Sequence, residues 1–189
     1  MLTGPFFAIR IILFVLLSLF VVFISWRSLH KSKSHGFYRF FDFQGILILL
    51  FLNIPYWINN PFSPLQLLSW ILLFLSIYFV YQGFFLLEKH GDSNNNQKRD
   101  ENFTFENTTN LVTTGIYKYI RHPLYSSLLL LAWGAFLKHI GLTVTIVVLL
   151  TTVSLVLTAK MEERENITFF GESYKEYIKN SKMFLPYIF

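Results

Sequence analysis

Apolar residues along this chain gather into four long runs. Phe6 to Trp26 is broken only by Arg10. Gly45 to Ile58 is shorter, is extended by Phe43, and carries Asn53 and Pro55. Leu65 to Leu87 holds almost no charge, and Leu124 to Ala159 is interrupted by Lys138-His139-Ile140-Gly141. A spanning helix needs about 20 residues at a rise of about 1.5 Å each. The fourth run therefore predicts two short helices joined by a tight turn at Gly141. The expected fold is all-α: a polytopic integral membrane protein of five transmembrane helices.

Charge placement supports that count. Of the 16 Lys and Arg residues, all but Arg10 and Lys138 lie in segments 27–43, 88–121 and 160–189. Five spans put these three segments on one side, which the positive-inside rule makes the cytoplasm. The N-terminus then faces outward and the C-terminus is cytoplasmic. Reading 124–159 as one long helix would split the last two basic segments across the membrane. Phe6 to Trp26 lacks a basic n-region and an obvious small-x-small cleavage site, so a retained span is expected over a signal peptide. Arg10 can snorkel to the outer interface.

Composition agrees with a bilayer as solvent: 53% of residues are hydrophobic, 14% are charged, and there are 22 Phe. A length of 189 residues allows one domain. Without cysteine, disulfide frameworks, thiol nucleophiles and thiolate metal sites are excluded. His30, His35, His90 and His139 have no ligand-like spacing, so no metal is expected. The net charge of +5 reads as membrane topology, and no nucleic-acid partner is expected. The chain divides into three N-terminal transmembrane helices over 1–87 and a second region over 88–189. That region comprises a cytoplasmic loop (88–122), a helical hairpin (123–159) and a tail (160–189). The polar stretch from Gly91 to Asp100 predicts a mobile loop. Glycosylation patterns at Asn102, Asn107 and Asn166 fall on the inner side and read as chance matches.

Two polar clusters exceed what an anchor needs. The first runs from Leu111 to Tyr125 and ends in Arg121-His122-Pro123-Leu124-Tyr125. Pro123 suits the first turn of a helix, because its missing amide hydrogen would go unused there anyway. Such an N-terminus favours an anion, and Arg121 adds a forked cation. The second cluster is Lys160-Met161-Glu162-Glu163-Arg164-Glu165. A short hairpin brings Arg121 and His122 near Glu162 and Glu163, as the rims of one interfacial pocket. Beyond them Phe169, Phe170, Tyr174, Tyr177 and Ile178 recur at helical spacing. They predict a cytoplasmic amphipathic helix, lying on the membrane or covering the pocket. Read blandly, the basic residues are topology signals and the glutamates a solvated face. Asn53 with Pro55 predicts a kink.

In order, these motifs resemble the isoprenylcysteine carboxyl methyltransferase family, a relative of membrane phospholipid N-methyltransferases. The resemblance covers Leu111–Tyr125, Glu162-Glu163 and Phe169-Phe170-Gly171-Glu172-Ser173-Tyr174-Lys175-Glu176-Tyr177, within about residues 109 to 186 and including Pro186. It implies S-adenosylmethionine as methyl donor. It carries donor binding onto Leu111, Val112, Tyr117, His122, Pro123, Leu124, Tyr125 and Glu162. Arg121 and Glu163 are the expected catalytic pair, with Arg121 positioning an anionic group. There are two departures. Thr158 stands where family members acting on prenylcysteine place an arginine for the substrate carboxylate. Thr109 replaces a histidine that opens the donor loop. The implied activity is methyl transfer to a lipidic or hydrophobic acceptor from the bilayer. A phospholipid amine, a hydrophobic thiol and a phenol stay open beside the prenylcysteine carboxylate. A nicotinamide-dependent membrane reductase and a non-catalytic membrane protein are the readings of other classes.

Overall fold

The apolar runs are helical. The computed structural model describes residues 5–91 and 108–186. The expected polar loop and the patterns at Asn102 and Asn107 fall in 92–107, outside the described residues. The elements are α1 (Pro5–Leu29), α2 (His35–Asn53), α3 (Pro64–His90), α4 (Pro123–Phe136), α5 (Leu142–Phe170) and α6 (Glu172–Asn180). No strand occurs among the described residues, only an isolated parallel bridge between Ile120 and Lys182. By length and composition α1, α2, α3 and α5 can each cross a membrane. Their large exposed side chains, such as Phe23, Phe74 and Leu150, suit a lipid-facing surface. The chain is thus built as an integral membrane protein. At 14 residues, α4 is only about 21 Å long, against about 30 Å of hydrocarbon.

α2 runs antiparallel to both α1 and α5, and polar contacts join them. Arg10 donates to the Phe51 carbonyl at 2.6 Å and Ser18 to Gln44 at 2.9 Å, joining α1 to α2. Arg10 therefore binds the carbonyl end of a helix, where the dipole favours a cation. Between α2 and α5, Thr158 donates to Asp42 at 2.6 Å. His35 meets Glu165 through both its backbone N–H and its Nδ1, at 2.8 Å each. Gly45 lets these two helices approach: a Cβ there would lie 2.2 Å from Thr151 Oγ1. Ile46, Leu49, Ala132, Ala135, Phe136, Val144 and Val148 close the core away from the α1–α2 turn.

α4 survives its shortness because neighbours satisfy its last carbonyls, which a helix end buried among apolar side chains requires. Asn53 donates to Ala135 at 2.7 Å and to His139 at 3.3 Å. Ser69 donates to Gly134 at 2.7 Å, and Gln66 to Lys138 at 3.1 Å. Asn53 is thus a cap for another helix, not merely a kink in its own. The Lys138 ammonium donates to Gln66 at 3.0 Å and lies 3.6 Å from the Trp70 ring centroid. Replacing Asn53 with leucine is expected to cost about 1–3 kcal/mol, the penalty of unpaired buried carbonyls. Thermal unfolding in detergent measures it, and an unchanged midpoint would refute the capping role.

Three boundaries differ from the sequence expectation. α2 starts at His35, not near Phe43, because its charged first half is buried in the bundle, with His35 held by Glu165 and Asp42 by Thr158, both on α5. The hairpin does not end at Ala159. α5 continues to Phe170, about 16 Å further, since Lys, Met, Glu and Arg are strong helix formers. The amphipathic tail is not one helix from Phe169 to Ile178. Gly171 takes φ 61°, a conformation suited to glycine, and divides α5 from α6.

Candidate active site

The fold gathers the two polar clusters at one end of the bundle, beside the N-termini of α2 and α4 and the C-terminal part of α5. A 3-10 turn over Gly115–Lys118 leads the chain from α3 toward α4. Leu86, Val112 and Tyr117 pack together beneath it. His122 is the N-cap of α4, with Pro123 in the first turn.

One residue per 100° sends the three glutamates of α5 in three directions. Glu162 faces a cavity, together with Asn166 and Phe170 one and two turns on. Asn166 donates to Glu162 at 3.5 Å. Glu163 accepts from Arg121 Nε at 2.7 Å and lies 3.5 Å from His122 Nε2. Glu165 turns away to His35. Arg121 and Glu163, expected as catalytic, are thus paired with each other, and their side chains are only 8% and 14% exposed. Arg121 Nη1 also donates to the carbonyls of Ile178, at 3.3 Å, and Ser181.

The tail closes over this end. Arg121 N–H donates to Lys182 at 2.8 Å, Lys182 N–H to Tyr119 at 2.9 Å, and His122 N–H to Met183 at 3.2 Å. Ser126 donates its hydroxyl to the Phe184 carbonyl at 2.9 Å. From α6, Tyr177 donates to the Tyr117 carbonyl at 2.6 Å. Burial and then the charge of Glu162 push the Tyr174 phenol above its ordinary pKa. Burial does the same to Tyr177. Both phenols stay protonated, and that of Tyr177 is the donor to Tyr117.

All eight residues expected to hold the donor line this one cavity: Leu111, Val112, Tyr117, His122, Pro123, Leu124, Tyr125 and Glu162. Arg121 also lines it, while Glu163 stands behind it. The wall further includes Arg39, Phe43, Val80, Ser127, Leu128, Tyr174 and Tyr177. By helix order Phe43, Val80 and Leu128 lie on the bundle side, and Glu162, Asn166 and Phe170 on the tail side. Arg39 was read in the sequence only as a topology charge. Its signal was local: Arg39 and Asp42 sit three residues apart inside the aromatic run Phe37-Tyr38-Arg39-Phe40-Phe41-Asp42-Phe43, where unneeded charges would be costly. Among the described residues, no group of three or more His, Asp and Glu can hold a metal ion.

Known proteins resemble this chain. Methanethiol S-methyltransferase of Pseudomonas deceptionensis is 34% identical over 71 residues, 38% of this chain and 26% of that protein. Methanethiol S-methyltransferase 1 of Bradyrhizobium diazoefficiens is 27% identical over 119 residues, 63% of this chain and 39% of the relative. The methanethiol S-methyltransferase of Crocosphaera subtropica is 30% identical over 76 residues, 40% of this chain and 29% of the relative. The chain thus spans well under half the length of these relatives. No solved structure matches it. The sequence profile of the phospholipid methyltransferase family matches residues 64–176, from the start of α3 into α6 and through most of the cavity wall. The chain belongs to the phospholipid methyltransferase family.

Proposed function

We propose that this protein is an integral membrane methyltransferase that moves the methyl group of S-adenosylmethionine to a hydrophobic acceptor. The observation that carries the reading is the convergence of the donor-binding residues expected from the resemblance on one cavity within the family-matched region. The side chains suit the donor. Glu162 offers a carboxylate to its hydroxyl or ammonium groups, and Asn166 orients that carboxylate. Tyr117, Tyr125, Phe170 and Tyr174 offer ring faces to the adenine and the sulfonium. When bound, the donor supplies an activated methyl carbon. The protein then has to hold the acceptor in line with it and keep water out. Arg121 and Glu163 lock the tail across the cavity, and Tyr177 ties α6 to the Tyr117 carbonyl.

In this reading all five helices of the bundle sit in the membrane. α4 is embedded at reduced length, and the site end faces the cytoplasm. The basic segments at the site end support that orientation. The acceptor enters from the bilayer side past Phe43, Val80 and Leu128. Among the acceptor classes that the sequence leaves open, the names of the relatives favour the small thiol.

Donor binding to the purified protein tests the reading. Glu162→Ala and His122→Ala are each expected to weaken S-adenosylmethionine binding by at least about 10-fold, the loss of one charged or hydrogen-bonded contact. Titration calorimetry measures it. Equal affinity in the wild type and both variants would remove the site assignment.

A further inference from the structure

A second cavity lies between the α1–α2 turn and the C-terminal part of α5. The turn supplies His30, Lys31 and Lys33 to it, and α5 supplies Glu165, Thr168 and Phe169. Its volume is about 650 Å³, within the range of about 300–1,000 Å³ for small-molecule sites. None of these six residues has a part in the donor reading. Charge and depth say what fits. Two lysines stand against one carboxylate, and that carboxylate already accepts from the N–H and Nδ1 of His35 at 2.8 Å each. His30 donates from Nδ1 to the Trp26 carbonyl at 2.8 Å, which fixes its ring. Trp26 is 59% exposed, and Arg27 follows it in the last turn of α1. An exposed amphipathic ring beside a cation marks a membrane–water interface. The cavity therefore lies at the depth of phospholipid headgroups. On the α5 wall, Phe169 is 38% exposed and adds an apolar surface.

We propose that this cavity binds the headgroup phosphate of an anionic phospholipid, and that the bound lipid favours donor binding by holding α5. The second half rests on the methyltransferase reading. A headgroup with a net negative charge suits the paired lysines, whereas the ammonium of phosphatidylcholine or phosphatidylethanolamine is opposed by them. In the orientation proposed above, this end of the bundle also faces the leaflet richer in anionic lipid.

The link to the donor is the helix itself. Glu162, Asn166 and Phe170 line the donor cavity, whereas Glu165, Thr168 and Phe169 line this one. The same turns of α5, beyond its apolar part, are a wall of both. Glu165 cannot shift without carrying Glu162, one turn back, along with it. A lipid seated between these turns and Lys31 and Lys33 ties the segment to the α1–α2 turn. Less ordering is then left for the donor to impose, which is positive coupling between the two sites.

The experiment places the purified protein in nanodiscs of phosphatidylcholine, with and without phosphatidylglycerol. Native mass spectrometry counts the phosphatidylglycerol retained, and titration calorimetry gives the affinity for S-adenosylmethionine. Wild type is expected to retain phosphatidylglycerol and to bind the donor about 5-fold more tightly in its presence, a coupling of ordinary size. In Lys31→Gln with Lys33→Gln, the retained lipid and the difference between the two nanodiscs are both lost. Lys175→Gln with Lys179→Gln removes the same charge from the exposed face of α6 and keeps both. An equal loss in that control reduces the effect to overall surface charge and overturns the site. Glycerol phosphate in solution carries the anion without the acyl chains and is expected to change nothing. Equal strengthening by it overturns a lipid as the source. Should the Lys31 and Lys33 double variant fail to fold, Lys33→Glu decides, since a reversed charge expels the anion from the same cavity. Undiminished retention in the Lys31 and Lys33 variants overturns the site, and retention with unchanged donor affinity in the wild type overturns the coupling. A wild type that retains the lipid and binds no donor overturns the methyltransferase reading and leaves the lipid site standing.

Discussion

Arg121→Ala is expected to lower the stability of the protein by about 3–5 kcal/mol, the usual result of removing one partner of a buried ion pair. Its Nε donates to Glu163 at 2.7 Å, and both side chains are nearly out of solvent. Alanine leaves the carboxylate buried, with the His122 ring as a neighbour, Nε2 at 3.5 Å. The carbonyls of Ile178 and Ser181 lose a donor at the same time. Arg121→Lys should recover only part of this, because a point charge cannot replace a planar fork that serves three acceptors. Arg121→Met with Glu163→Met should be more stable than Arg121→Ala, since deleting both charges removes the uncompensated one. Thermal unfolding in detergent and a double-mutant cycle measure the coupling. Additive effects of the two positions would show that the pair does not hold the tail.

Phe184→Ala carries the second large expectation, about 3–5 kcal/mol for truncating a buried aromatic ring. Phe184 is 1% exposed and packs with Tyr125, Leu155, Ala159 and Met183. With Met183, it joins the tail to the apolar core. The loss should be local before it is global, because the tail can leave while the helices stay packed. Limited proteolysis should therefore cut near α6 well below the temperature at which the bundle unfolds. Phe184→Leu should be much milder. A cleavage pattern and a midpoint both unchanged in Phe184→Ala would show that the ring does not anchor the tail.

The helices were legible because nothing else hides so many apolar residues, and Pro123 marked the start of α4 through its own chemistry. Their limits were less so. Hydropathy stops at a charge, but a helix does not. Arg39 and Asp42 sit within α2, and Glu162, Glu163 and Glu165 ride on α5 beyond its apolar part. The cavity residues between Leu111 and Tyr125, with Glu162, were named by an ordered set of motifs that resembles a known family. Arg39 and Phe43 escaped because they lie outside those motifs and meet the cavity only through the packing of α2 on α5. The partners of Arg121 escaped for a related reason. Two of them are backbone carbonyls, which leave no mark on the sequence.

The pairing of Tyr119–His122 with Lys182–Met183 also orders events during synthesis. Every helix of the bundle, α5 included, is complete before Ser181 is made. The closing strip is joined only after the helices it covers. Membrane insertion of the bundle can therefore proceed around an open pocket, and the pocket gains its roof when residues near Phe184 emerge. A chain halted after α5 would carry the long helices and the glutamates of the site, yet lack the segment that Arg121 grips. Completion of the site thus waits for the last part of the helical region to be made, set by the position of one short strip that follows α6.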